Sequence, residues 1–132
     1  ITTSSELDIK KFVDATTIVI KELAEKNNVV ILGRGGNMIL GDYPNSLHVD
    51  VIAPIERRVQ TIMAREHLDE TTARNFVENH EAARITFFRK AFNVDPLDSS
   101  LYHMILNMDH LKTETAAEIV AHATQDMAYQ IN

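Results

Sequence analysis

The chain has 132 residues, 45% of them hydrophobic and 24% charged, which fits one globular domain with its own core. It contains no cysteine, which excludes disulfide scaffolds, zinc ribbons and thiol nucleophiles, and its formal net charge of −6 argues against a general affinity for DNA, RNA or anionic membranes. The start, Ile1 to Lys11, is polar and acidic, unlike the basic-then-apolar plan of a secretory signal, so the expected compartment is the cytoplasm.

Ser5-Glu6-Leu7-Asp8 resembles a capping box, and Ile9, Phe12, Val13, Ile20, Leu23 and Ala24 follow at helical spacing, predicting an amphipathic helix up to Lys26-Asn27-Asn28. Val29-Val30-Ile31-Leu32 is a short apolar run ending at Gly33, the pattern of a strand buried on both faces. A second strand is predicted over Leu47 to Ala53 and a third over Met104 to Asn107. Between them, Pro54 suits the first position of a helix that turns Ile55, Val59, Ile62 and Met63 inward and ends near His67. Asp69 reads as the N-cap of a longer helix, running to about Phe92, with Ala73, Phe76, Val77, His80, Arg84, Phe87, Phe88 and Ala91 on one face. Asn93 to Ser100 reads as a loop around Pro96, and a last helix from about Thr113 should turn Ala117, Ile119, Val120, Ala123 and Met127 to the core.

This alternation predicts an α/β protein with a parallel sheet, whose ligand crevice lies beyond the carboxyl ends of the strands. Seven of the 13 basic residues, Arg57, Arg58, Arg65, Arg74, Arg84, Arg89 and Lys90, fall in one stretch, a clustering that suits a small polyanion. After the first strand, Gly33-Arg34-Gly35-Gly36 offers either a phosphate fork beside an approachable backbone or a tight turn with a solvated arginine. After the second, Arg57 and Arg58 stand in the first turns of a helix about 100° apart, where either one of them faces the crevice or they are ordinary solvated helix arginines. Arg84 can pair with Glu78 or Glu81 on its own helix as a structural residue, or reach a phosphate as part of a closing lid. The six histidines make no HExxH pattern, no nucleophile elbow is present, and Phe87, Phe88 and Phe92 suit a core or interface better than a base-stacking platform.

Taken in order, several landmarks resemble the cytidylate kinase-like family of P-loop nucleoside monophosphate kinases. They are Val30 to Asn37, Leu47 to Val59, Ala73, the Glu81, Arg84 and Arg89 segment leading to Asp95, Leu101-Tyr102 and Ile105 to Asn107. The resemblance implies a single domain over 1–132 with a three-layer parallel sheet of nucleoside monophosphate kinase type, and a lid-like helical segment over about 69–95. It implies that Gly33, Arg34, Gly35 and Gly36 meet the acceptor's phosphate, that Arg58, Arg84 and Arg89 handle the transferred phosphates, and that Asn107 and Met108 lie near the donor's base. ATP and Mg2+ are the implied cofactors, with no metal-binding residue assigned, and a CMP-like monophosphate is the implied partner.

The sequence departs from the family's pattern at Ala82 and Thr86, where further arginines would stand, and at Glu81, where aspartate is commoner. It also lacks a GxxxxGK[ST] loop; its only clustered glycines are Gly33 to Gly36. In the family's sheet the strand carrying that loop lies between the first two strands named above. The expectation is therefore an acceptor and lid portion of a longer kinase, inactive and binding no cofactor tightly by itself. The alternative is a non-catalytic nucleotide-sensing or protein-interaction domain, with a homodimer re-pairing the exposed edges.

Overall fold

The computed structural model describes residues 4–131, with side chains from residue 6 to residue 127. Helix α1, Ser4–Lys26, packs on α2, Gly36–Leu40, and on α4, Glu70–Phe92. Of its expected inward stripe Ile20 is buried, Ile9, Val13, Leu23 and Ala24 are half-buried and Phe12 is exposed, while Ile18 and Val19 face solvent. Ser5 lies within the helix and not at its cap, and its side chain is outside the described ones. Asn27 and Asn28, both with left-handed φ, stop the helix. Among the described residues no helix is long and apolar enough to cross a membrane.

The expected first strand is not formed. Val29 to Leu32 pairs with no other strand, and instead of being buried on both faces Val30 is 97% and Leu32 92% exposed. A strand of this composition is stable when neighbours bond both its edges and layers cover both its faces. Here the only ladder among the described residues joins β1, Val49–Ile52, to β2, Met104–Asn107. These two are parallel, in register from Val49 beside Met104 to Ile52 beside Asn107. The backbone N–H groups of His103 and Met104 both donate to the His48 carbonyl at one end, and Met108 N–H donates to Ile52 at the other. β1 is thus shorter than the predicted Leu47 to Ala53, whereas β2 matches its predicted bounds.

A parallel pair needs a long crossover, and α3, Ile55–Glu66, with α4 provides it. Pro54 is the N-cap of α3, one position earlier than expected, and His67 closes the helix with φ 55°. The α4 cap is as predicted: Asp69 Oδ1 accepts from the Thr72 N–H at 2.7 Å. Val59 and Ile62 of α3 meet Ala73 and Val77 of α4 in the central apolar cluster, with Ile55, Met63 and Leu68 around it. Phe76, expected inside, is half exposed. A 3-10 turn, Ser99–Leu101, leads into β2, and α5, Thr113–Ile131, follows it. The buried stripe of α5 begins at Ala116 and continues through half-buried Val120, Ala123 and Met127; the expected Ala117 and Ile119 are exposed.

The Asp69 cap makes stability depend on pH. The Thr72 N–H holds the Asp69 carboxylate below its ordinary value of 3.8, so its contribution is present above that value and is lost as the pH falls through the lower folded-state value. Asparagine caps a helix about as well but does not titrate. The Asp69→Asn variant should therefore match the wild type in thermal midpoint at pH 7 and lose less of it in acid, as followed by circular dichroism.

Candidate functional site

β1 and β2 end on the same side, so the segments leaving them, Ala53-Pro54 and Met108 to Lys112, flank one crevice. An open cavity of about 510 Å3 occupies it. Its cationic wall is Arg57, Arg58 and Arg65 of α3; Phe76 and His80 of α4 stand opposite, and Met108 closes the strand end. The amphipathic pattern of α3 explains this wall. Val59 and Ile62 are committed to the α4 interface, which leaves the neighbouring positions to turn toward the strand ends.

Arg58 is held in place. Its Nε donates to the Ala53 carbonyl at 3.1 Å and its Nη2 to Glu81 Oε2 at 3.4 Å. Arg57 lies 4.0 Å from Asp109 in the loop after β2, and Arg65 pairs with its neighbour Glu66. Arg74 is neutralised away from the cavity, gripping both Glu56 oxygens at 3.0 and 2.8 Å and Glu70 at 3.2 Å. That bidentate bond holds the Glu56 carboxyl below its usual value. It ties the first turn of α3 to that of α4.

Arg84 does not pair with Glu78 or Glu81 on its own helix. Its Nη2 donates to the Tyr102 hydroxyl at 2.9 Å and lies 3.6 Å from Asp50 Oδ1 of β1, with its Cζ 5.4 Å from the centre of the Phe88 ring. Glu81, a turn earlier, serves Arg58 instead. Arg89 is exposed in the last turn of α4, about 140° around the helix from Arg84, and is not brought to this group.

Gly33, Arg34 and Gly35 all have left-handed φ, of 68°, 62° and 72°, so the chain coils tightly into α2. Gly35 and Gly36 are buried, while the Arg34 side chain is exposed. Gly35 sits against Phe92, within an aromatic cluster of Phe12, Phe87, Phe88 and Phe92 whose adjacent rings lie 5.7 to 5.9 Å apart. Phe87, Phe88 and Phe92 thus pack on one another. Met108 lines the cavity; Asn107 Oδ1 is occupied by the Asp109 N–H at 3.0 Å.

The structure therefore brings Arg58 and Met108 to the crevice, sets Arg84 beside β1, and leaves Arg34 and Arg89 at the surface. Asp50 and Tyr102 were not found from sequence. The available signal was an acidic residue inside the apolar run His48-Val49-Asp50-Val51-Ile52.

Residues 2–110 match the model of the cytidylate kinase-like family. The chain is 29% identical over 119 residues to a cytidylate kinase of Methanoregula boonei, covering 89% of this chain and 63% of that protein. It is 27% identical over 122 residues to one of Methanoculleus marisnigri, covering 92% and 65%. The chain thus spans under two thirds of the length of these relatives. A crystal structure of an uncharacterized protein from Eubacterium ventriosum ATCC 27560 has the same fold, with a TM-score of 0.80 at 22% identity over 89% of this chain and 72% of the other. With the family match covering most of its length, the chain belongs to the cytidylate kinase-like family.

Proposed function

We propose that this chain is the acceptor-nucleotide and lid portion of a cytidylate-kinase-like phosphotransferase, binding a nucleoside monophosphate such as CMP and unable to transfer phosphate by itself. On this reading it belongs to the three-layer nucleoside monophosphate kinase architecture, acts in the cytoplasm, and uses the segment over about 69–95 as a lid. The observation that carries the reading is the cavity at the strand ends, with three arginines of α3 on one wall and Arg58 fixed there by Ala53 and Glu81. A guanidinium held by its neighbours loses little freedom when a phosphate arrives, which favours binding.

ATP and Mg2+ belong to the complete reaction, where the metal would neutralise phosphate charge. Magnesium in such a reaction would be held by one or two carboxylates together with the nucleotide's phosphates, so no preformed protein cage is required of this chain. Among the described residues no group of three or more His, Asp or Glu side chains converges, and Asp50, Glu81 and Asp109 each face an arginine. No step is assigned to this chain through either cofactor.

Calorimetric titration with CMP, AMP and ATP tests the proposal. The expected result is binding of a monophosphate, weakened by Arg58→Ala, with ATP weak or silent. A second reading, a non-catalytic interaction domain that can pair with its own copy, is favoured by the exposed Val30 and Leu32, because contiguous apolar surface marks interaction sites. Silence with all three nucleotides would establish that second reading over the first.

A further inference from the structure

We infer that Asp50 and Tyr102 are positioning residues, which hold the Arg84 guanidinium by its Nη2 corner and leave its other donors to a phosphoryl group. This rests on the nucleotide-binding reading above and adds to it the device that orients one of its cations.

Three segments converge on this side chain: β1 brings Asp50, the residue after the 3-10 turn is Tyr102, and α4 carries Arg84 itself. The hydroxyl of Tyr102 donates to the Pro96 carbonyl at 2.8 Å, and Pro96 is fully buried, so the hydroxyl is aimed. Its hydrogen being committed there, the oxygen is left to accept from Arg84 Nη2. Burial pushes the phenol above its ordinary value, so that hydrogen is retained at neutral pH.

Asp50 supplies the charge. Its side chain is only 12% exposed, and a carboxylate so placed needs a cation beside it; Arg84 Nη2, at 3.6 Å, is that cation. The Arg84 Cζ also lies over the buried Phe88 ring, 5.4 Å from its centre.

What remains open decides the role. The Tyr102 hydrogen bond and the 3.6 Å Asp50 contact both fall on Nη2, and among the described residues no hydrogen bond engages Nη1 or Nε. Tyr102 takes one Nη2 hydrogen and the Asp50 carboxylate stands 3.6 Å from the same nitrogen, which leaves the Nε and Nη1 hydrogens without a hydrogen-bond partner among the described residues. Unpartnered N–H groups on a fixed guanidinium are suited to phosphate oxygens. Arg84 is anchored at one corner, and its side chain keeps 36% of its surface exposed.

The test uses the isotope-labelled chain, titrated with CMP by calorimetry and examined by NMR of the arginine side-chain nitrogens. Wild-type Arg84 should show separate Nη signals, the mark of slow rotation about the Nε–Cζ bond. Tyr102→Phe should merge them and weaken CMP binding about three- to tenfold with an unchanged backbone amide spectrum. If Tyr102→Phe fails to fold, the isosteric Asp50→Asn supplies the same NMR readout. A Tyr102→Phe variant that binds CMP as the wild type does, or Asp50→Asn with Nη signals still separate, overturns the positioning role. A wild-type chain that ignores CMP but keeps separate Nη signals overturns the nucleotide reading, and with it the phosphoryl target, while showing the anchor itself to be real.

Discussion

Gly35→Ala is expected to cost about 2–5 kcal/mol of stability, read as a lower urea midpoint, by combining left-handed strain with overpacking. Gly35 has φ 72°, and a β-carbon there would lie 2.5 Å from Cε2 and 2.7 Å from Cζ of Phe92. The ring has little room to retreat, because it is held edge-on by Phe87 and tilted against the buried Phe88. Gly33→Ala is the control. Gly33 has nearly the same φ, 68°, but nothing within 4 Å of the new methyl group, so it should cost only the strain, about 1–2 kcal/mol. Equal losses in the two variants would mean that Phe92 moves aside freely and that the Gly33 to Gly36 loop is not seated on α4. A larger loss at Gly35 would show that the aromatic cluster sets where Arg34 begins.

The second large effect concerns affinity. Arg58→Ala should weaken CMP binding about 10- to 100-fold, since it removes an anchored cation from the cavity wall and leaves Glu81 unpaired beside the phosphate. Glu81→Gln should act the other way. It keeps the shape of the side chain and removes the negative charge 3.4 Å from Arg58 Nη2. Both partners are more than a third exposed, so solvent already screens the pair and the gain should be modest, about two- to fivefold. Calorimetry at low and at physiological salt checks both, and the gain from Glu81→Gln should shrink with salt. CMP affinity unchanged in Arg58→Ala would remove the strand-end cavity as the phosphate site.

Much of the local structure was legible in the sequence. Apolar periodicity located α1, α3 and α4, Asp69 was readable as a cap, and Met104 to Asn107 as a strand, because each is decided by residues a few positions apart. The five-residue α2 had no periodicity long enough to show it. On α5 the expected Val120, Ala123 and Met127 do turn inward, while packing takes Ala116 in place of Ala117 and Ile119.

The site divides along the same line. Residue types and their order were enough to place arginines beyond the strand ends and to carry the family resemblance. They could not say which cations meet which anions. Nearness in sequence pointed Arg84 to Glu78 or Glu81, whereas folding brings it to Asp50 on a strand and to Tyr102 beyond a loop, and passes Glu81 to Arg58. The run Val29 to Leu32 makes the same point for the backbone. Its composition determines that it can be a buried strand, but burial requires partners on both edges, and only the tertiary structure decides whether they are there.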